Sequence, residues 1–202
     1  SCNWKKLLKK FWTLVKNDSS SFPPPKLFPF SSNVDINKKT VVISPSTTWI
    51  TKFWTKENWS KVIAHLQSDF NIIITGSKAD IKYVDDILAS VENKNIVNIT
   101  GKTNILQLKI LFENADVVIT PDSGSAHLAA AVVKPIVITL CGSTSSIRNG
   151  AYGINNINLS ADLSCQPCYK KSCKYSEGTS VCMMSISPDA VVEKVFECLK
   201  YE

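Results

Sequence analysis

The chain has 202 residues, 44% of them hydrophobic, which is enough to bury one good core. It has no run of eighteen apolar residues and no signal-peptide pattern, so we expect a cytoplasmic protein rather than a membrane-spanning or secreted one. The net charge is +6, and five lysines precede Asp18, the first acidic residue. This asymmetry indicates an anionic surface or partner near the N-terminus.

Residues 4–16 have the pattern of a basic amphipathic helix. Lysines fill one face, and apolar side chains recur on the other at spacings of three and four: Trp4, Leu7, Leu8, Phe11, Trp12 and Val15. Two interpretations stay open. The helix either lies on an anionic membrane surface or packs against the same protein. Residues 17–39 are rich in serine and proline, which predicts a linker. We therefore expect residues 1–39 to be a helix and an interdomain linker, and residues 40–202 to be a folded domain.

From residue 41 onward, apolar strands alternate with amphipathic helices. The predicted strands are 41–44, 72–75, 96–99, 117–120 and 135–140, and the predicted helices are 57–68, 81–91, 105–113 and 125–133, with a last helix opened by Ser187-Pro188-Asp189. Near-continuous apolar strands with helices between them are typical of a parallel sheet covered on both faces. The predicted fold class is α/β, a Rossmann-like doubly wound parallel sheet.

The stretch 115–131 is the strongest local signal for a binding site. A buried strand ends at the breaker Pro121, and Asp122-Ser123-Gly124 then opens a helix of small residues. His127 follows about one turn later, on the side of the loop. A helix start with free N–H groups suits a diphosphate. The alternative is an ordinary capping turn with a structural histidine.

Other loops at the same sheet edge carry hydroxyls and charge. Thr47, Thr48 and Lys52 follow the first strand and suit phosphate oxygens, whereas Asp80 follows the second strand and is a candidate for ribose hydroxyls. Neither the G-x-G-x-x-G fingerprint nor a P-loop occurs, which disfavours a nicotinamide dehydrogenase or a P-loop ATPase. The prediction is a nucleotide-diphosphate site assembled from several loops.

Five motifs also carry a family resemblance. They are Ser44-Pro45-Ser46-Thr47-Thr48 with Lys52-Phe53-Trp54, Ile74-Thr75-Gly76-Ser77, Gly101-Lys102-Thr103, Asp122-Ser123-Gly124 with His127-Leu128-Ala129-Ala130-Ala131, and Lys134-Pro135. In order and spacing, from about Val41 to the end, they resemble the C-terminal half of the ADP-heptose:lipopolysaccharide heptosyltransferases, glycosyltransferase family 9. The resemblance implies one half of a GT-B glycosyltransferase, ADP-heptose as donor substrate, the lipopolysaccharide inner core as acceptor, and inverting transfer with no cofactor required.

The resemblance also assigns residues to the donor. It places Thr47, Thr48 and Lys52 on the diphosphate, Asp80 on the ribose and the Thr103 loop on the adenine. It places Ser123, Gly124 and His127 at the phosphates and sugar, beside Asp122. It implies that the general base and the acceptor site belong to an N-terminal domain, which we expect to be missing from this chain. We therefore expect either a fragment of a transferase or a truncated gene product, without turnover alone, and an N-terminal domain in trans is a candidate partner.

Two alternatives to this function stay open. One is a transferase for a different nucleotide sugar, and the other is a non-catalytic nucleotide-binding or interaction module. Nucleic-acid binding is disfavoured, because the lysines gather in one helix without interleaved stacking aromatics on a sheet.

Residues 164–184 form a cysteine-rich loop that also resembles a loop in one branch of the family. Its cysteines are Cys165, Cys168, Cys173 and Cys182. Four thiolates can hold a structural zinc ion, and the first pair has the usual C-x2-C spacing, but the second half is not a standard knuckle. Structural zinc, disulfides and free thiols are the three alternatives.

Overall fold

The structure is a computed structural model that describes residues 34–35, 37–92 and 96–200, except for the side chain of Lys200. Val34–Glu202 forms one compact unit. The predicted amphipathic helix and most of the predicted linker lie outside the described residues, so both stay predictions. Within the described part, no helix is both long and apolar enough to cross a lipid bilayer.

Six strands form one parallel sheet in the order β3-β2-β1-β4-β5-β6. The strands are β1 (Thr40–Ile43), β2 (Asn71–Ile74), β3 (Ile96–Asn98), β4 (Val117–Pro121), β5 (Ile136–Cys141) and β6 (Asn156–Ser160). The helices are α1 (Lys56–Leu66), α2 (Ile81–Leu88), α3 (Ile105–Glu113), α4 (Gly124–Val132), α5 (Ser146–Asn149), α6 (Val181–Met184) and α7 (Pro188–Lys200). The predicted fold class is confirmed.

The central strands consist mainly of β-branched apolar residues, and the sheet is covered on both faces. All of β4 is buried, and Val41, Val42 and Ile43 of β1 have no exposed surface. Helix α1 packs against α2 and α7, and α3 packs against α4. β1 pairs with both β2 and β4, so the strand order reverses direction at β1. Ligands of such sheets bind at this switch point, outside the carboxyl ends of the strands.

Two tryptophans fill the core beneath the β1 loop. The rings of Trp54 and Trp59 meet edge to face with centroids 5.0 Å apart, and both side chains are buried. The indole N–H of Trp54 donates to the carbonyl of Ile186, just before α7, over 3.2 Å. Trp54 therefore ties the loop after β1 to the C-terminal part of the domain.

The main difference from the predicted elements is the strand β6. Its side chains are half-buried or exposed and include two asparagines, so the sequence lacks the apolar run that marks the other strands. A second difference concerns Pro121, which ends β4 as its last residue and pairs with Leu140. Proline is tolerated there because the next donor to Leu140 O is the N–H of Asp122, over 3.0 Å.

Candidate functional site

An ion pair joins the loops that follow β1 and β4. Lys52 ends a 3-10 helix (Ile50–Lys52), and Asp122 comes directly after β4. The Lys52 Nζ lies 2.8 Å from Asp122 Oδ2, and the two side chains are only 14% and 5% exposed. The structure therefore brings together two predicted site residues at the switch point of the sheet.

A third loop also reaches this carboxylate. Thr144, in the loop after β5, donates its hydroxyl to Asp122 Oδ2 over 2.6 Å. A buried carboxylate is tolerated only when its charge is compensated and its oxygens accept hydrogen bonds. Lys52 and Thr144 meet both conditions, so Asp122 holds three loops in one arrangement.

His127 lies on α4 beside the same carboxylate. Its Nε2 is 3.9 Å from Asp122 Oδ1, and its side chain is about a quarter exposed, at 26%. Burial lowers the pKa of His127 below its ordinary value, Asp122 opposes this effect, and the positive charge of Lys52 adds to it. Near pH 7 the imidazole is therefore neutral, and it offers a hydrogen bond rather than a positive charge.

This lowered pKa predicts a pH dependence of stability. The unfolded chain binds a proton on His127 at a higher pH than the folded chain, so the free energy of unfolding should fall as the pH drops below about 6.5. His127→Gln should remove this component of the dependence. Urea denaturation of both proteins between neutral and mildly acidic pH measures it.

The matched control is His65→Gln, since His65 is the other of the two histidines in the chain and is exposed on α1. It should leave the His127 component in place. An NMR titration that finds the pKa of His127 at or above its ordinary value would contradict the prediction.

The start of α4 is open. Ser123 occupies the N-cap position, but its side chain makes no capping hydrogen bond, and its hydroxyl instead lies 3.0 Å from the hydroxyl of Thr120. A Cβ added at Gly124 would meet no atom within 4 Å. The helix α3, by contrast, is capped by the side chain of Asn104. The first turn of α4 thus has no side-chain cap from Ser123, and the space beside Gly124 is open.

The loop after β1 faces the same edge. Thr47 is half-buried and Thr48 is exposed. The hydroxyl of Ser46 is buried and has no hydrogen-bond partner among the described residues. A buried hydroxyl without a partner is uncommon in proteins and is satisfied when a ligand supplies the partner.

Asp80 and Thr103 follow β2 and β3 and form a second group on this edge. Both are half-buried. One oxygen of Asp80 accepts the backbone N–H of Ser77 over 2.7 Å and its hydroxyl over 2.6 Å, in the capping box of a 3-10 helix (Lys78–Asp80). The two loops touch, because Gly101 N–H donates to Gly76 O over 2.9 Å. Asp80 therefore has a structural role in addition to the ribose contact that the sequence predicts.

The four cysteines of the loop 164–184 differ in their exposure. Cys182 is buried on α6 beside the hydroxyl of Ser180, whereas Cys168 is exposed. All six cysteines in the described part of the chain are free thiols, and the described residues include no cluster of three or more His, Cys, Asp or Glu that could hold a metal ion. No disulfide joins Cys165, Cys168, Cys173 or Cys182. Structural zinc at these four cysteines stays a prediction.

The thiols in and beside this loop differ in acidity. Hydrogen bonds, first from the Ser176 hydroxyl and then from backbone N–H groups, lower the pKa of Cys173 to about 7. Burial raises the pKa of Cys182 and raises that of Cys141, at the end of β5, to about 12. Cys173 therefore carries the most acidic of these three thiols.

Sequence reasoning missed two contacts that shape the site. Thr144 anchors Asp122, but nothing in the sequence distinguishes it from the neighbouring hydroxyls of the same loop. The hydroxyl of Ser44, at the end of β1, donates to that of Ser125, on α4, over 2.9 Å. The sequence places Ser44 directly after a strand, but the other residues of that loop have the same kind of position. The contact with Ser125 therefore could not be singled out.

The parallel sheet and the polar residues gathered at its switch point define the chain as a Rossmann-like α/β domain. We call this polar group, Lys52, Asp122, His127 and Thr144, the crevice. A more specific assignment comes from known proteins. The profile of glycosyltransferase family 9 (heptosyltransferase) matches residues 6–178, and the chain belongs to this family. The predicted family is confirmed.

One similar relative is the lipopolysaccharide core heptosyltransferase OpsX of Haemophilus influenzae, 36% identical over 129 residues, which are 62% of this chain and 36% of OpsX. Two solved structures share the fold. Escherichia coli ADP-heptose heptosyltransferase II has a TM-score of 0.72 and 20% identity, over 89% of this chain and 56% of its own. E. coli heptosyltransferase WaaC with ADP has a TM-score of 0.64 and 19% identity, over 89% and 53%. The chain thus spans about a third to a half of the proteins it matches.

Proposed function

We propose that this domain binds the nucleotide-sugar donor, ADP-heptose, of an inverting glycosyltransferase that transfers heptose to the lipopolysaccharide core. The observation that carries the proposal is the buried Lys52–Asp122 pair beside the uncapped start of α4. Both features lie at the switch point, where sheets of this type bind ligands. The solved relative WaaC, which shares the fold, contains ADP.

The residues around the crevice suit a diphosphate. Lys52 supplies a positive charge, the first turn of α4 supplies N–H groups, and the Thr47 and Thr48 hydroxyls lie on the neighbouring loop. Negative charge grows on ADP as the bond to the sugar breaks. Lys52 and the helix start stabilise that charge more in the transition state than in the bound donor, which lowers the barrier.

The remaining predicted contacts divide between the two ends of the donor. His127, neutral and next to Asp122, serves the sugar or the adjacent phosphate as a hydrogen-bonding group, together with Ser123 and Gly124. Asp80 and the Thr103 loop serve the ribose and the adenine. A different base on the donor is the second candidate, because the Thr103 loop would contact it through backbone that other bases also fit.

The acceptor and the general base belong, on this proposal, to a further domain. The chain spans 36% of OpsX, and the domain described here contains one Rossmann-like sheet. Turnover would then require the other half, supplied in the same chain or in trans. We place the complete enzyme in the cytoplasm, at the face of the inner membrane where a lipid acceptor is available, and propose no metal ion or cofactor for the chemistry.

Calorimetric titration with ADP, UDP and GDP tests the donor proposal. ADP should bind more tightly than the other two nucleotides. Gly124→Leu should weaken ADP binding about tenfold or more, because its side chain would fill the space proposed for the diphosphate, and overpacking costs about 1–3 kcal/mol. The variant should still fold, since the backbone at Gly124 accepts a Cβ that meets no atom within 4 Å.

Gly124→Ala is the graded control, with a smaller loss of affinity than Gly124→Leu. Equal binding of all three nucleotides would favour a donor with another base. If no nucleotide binds to the well-folded protein, the donor proposal fails for this chain alone and the interaction-module alternative replaces it.

A further inference from the structure

The edge that carries the crevice continues into an exposed surface of basic, aromatic and aliphatic side chains. It is built by the loops after β1, β5 and β6, and we call it the basic aromatic rim. Its members are the half-buried Trp49 and the exposed Ile147, Arg148, Tyr169, Lys170 and Lys171. Three of the six are cations. The three loops together carry five cations and two carboxylates, so this part of the surface is net positive.

Cation–aromatic contacts join the loops of the rim. The Arg148 guanidinium lies 5.9 Å from the ring centre of Tyr169, and the Lys171 Nζ lies 5.4 Å from that of Trp49. The Trp49 ring is also 4.8 Å from the Nζ of Lys52, the cation of the crevice. The rim is therefore continuous with the mouth of the proposed donor site.

Backbone hydrogen bonds hold the rim in place. The N–H of Tyr169 donates to the carbonyl of Ser143 over 2.8 Å, and the hydroxyl of the buried Thr51 donates to the carbonyl of Lys170 over 2.8 Å. The exposed side chains thus stand on a backbone that is tied to the core.

Two rim residues occupy positions that do not favour the stability of the fold. Ile147 is 97% exposed, so its side chain contributes almost nothing to the core. Tyr169 has a φ of 55°, a left-handed backbone conformation that a bulky residue adopts only at a cost, which glycine would avoid. An exposed isoleucine and a strained tyrosine next to three cations indicate a surface that contacts something.

We propose that the basic aromatic rim binds the surface of an anionic lipid bilayer. Lysine and arginine near such a surface are attracted to acidic headgroups, and tryptophan and tyrosine are enriched where water meets hydrocarbon. The exposure of Ile147 favours a membrane over a phosphorylated saccharide as the ligand of the rim. A fully exposed aliphatic side chain gains by entering the acyl boundary and gains nothing from a soluble sugar phosphate.

The position of the rim beside the proposed donor site also relates lipid binding to the proposed function. Because Trp49 contacts both Lys171 of the rim and Lys52 of the crevice, a domain lying on the bilayer through its rim opens its donor site beside the lipid headgroups. Lipid binding of this kind does not require a nucleotide, so it can be tested separately from the donor proposal.

Co-sedimentation of the full chain with vesicles tests the inference. One set is phosphatidylcholine alone, and the other contains phosphatidylglycerol as well. The triple variant Arg148→Gln, Lys170→Gln, Lys171→Gln should bind the anionic vesicles about a hundredfold more weakly, since each cation near the surface contributes about fivefold. Ile147→Ser should lower binding about tenfold, because one inserted aliphatic side chain is lost.

The matched control is Lys61→Gln, Lys82→Gln, Lys134→Gln, which removes the same charge from exposed positions on α1, on α2 and after α4. It should keep most of the binding, and residues 4–16 are the same in all variants. The affinity of each variant for ADP shows whether the proposed donor site is retained.

Three results would overturn the inference. The first is equal binding of the wild type to both kinds of vesicle. The second is an equal loss in the rim and control variants, which would mean that overall charge is responsible. The third is release by tripolyphosphate with no effect of Ile147→Ser, which would assign the rim to a phosphorylated saccharide instead.

Discussion

Lys52→Ala is expected to weaken ADP binding about 10- to 100-fold, because a hydrogen bond to a charged group contributes about 1.5–3 kcal/mol when its partner is buried. The substitution removes the cation that would face the diphosphate. It also leaves the carboxylate of Asp122, only 5% exposed, without its counter-charge, so that it repels the incoming phosphates. Calorimetric titration of the wild type and the variant with ADP measures the loss.

Lys56→Ala is the matched control for this experiment. Lys56 also forms a 2.8 Å ion pair, with Asp86, but the two side chains are 43% and 36% exposed, and the pair joins α1 to α2 without contacting Asp122. Its removal should leave the affinity for ADP unchanged. If the two variants lost affinity equally, or neither lost any, Lys52 would not be a phosphate contact and the donor site would have to be placed elsewhere.

Trp54→Ala is expected to lower the free energy of unfolding by about 3–5 kcal/mol, the usual cost of truncating a large buried aromatic side chain. Trp54 is 1% exposed, stacks edge to face on Trp59 and donates its N–H to Ile186. The variant would lose the packing, leave a cavity and orphan the Ile186 carbonyl. Equilibrium urea denaturation followed by far-UV circular dichroism measures the change.

Trp49→Ala removes the same side chain from a half-buried position five residues earlier, where it stacks on Lys52 and Lys171. It should cost much less stability than Trp54→Ala. Equal losses would show that the two tryptophans contribute alike to the fold, and would contradict the structural role assigned to Trp54.

The core strands and their order along the chain were predictable because burial on both faces imposes an apolar run that few other structures share. The runs in β1, β2, β4 and β5 are of this kind, and each was placed within one residue of its observed bounds. Helix α4 was predicted from its small residues and the polar turn before it. By contrast, β6 is an outer strand covered only in part, so its composition carries no such constraint.

The candidate site was predictable to the level of loops but not of pairings. Parallel strands end at one edge, which is sufficient to bring Lys52, Asp122 and His127 into one neighbourhood. The choice of partner depends on side-chain reach and local backbone direction, which periodicity does not encode. This is why the contact between Thr144 and Asp122, and the capping role of Asp80, emerged only in three dimensions.

The family resemblance supplied what the residues alone did not, namely the kind of donor. Hydroxyls, a lysine and a helix start indicate phosphate but do not distinguish one nucleotide from another. For the cysteine-rich loop, neither the spacing of the residues nor the family resemblance selected one chemical state of the thiols. Spacing alone allowed zinc, disulfides or free thiols, and it could not show that Cys182 is buried whereas Cys168 is exposed.

The carboxylate of Asp122 has a consequence for protein engineering. Asp122 contacts Lys52, from the loop after β1, and Thr144, from the loop after β5. Replacing one of these loops alone with the loop of a relative would therefore disturb contacts that the other loops make. The loops of Asp80 and Thr103 share no such link with Asp122 among the described contacts. Donor specificity should therefore be altered by grafting the loops after β2 and β3, while the three loops around Asp122 are transplanted together or left alone.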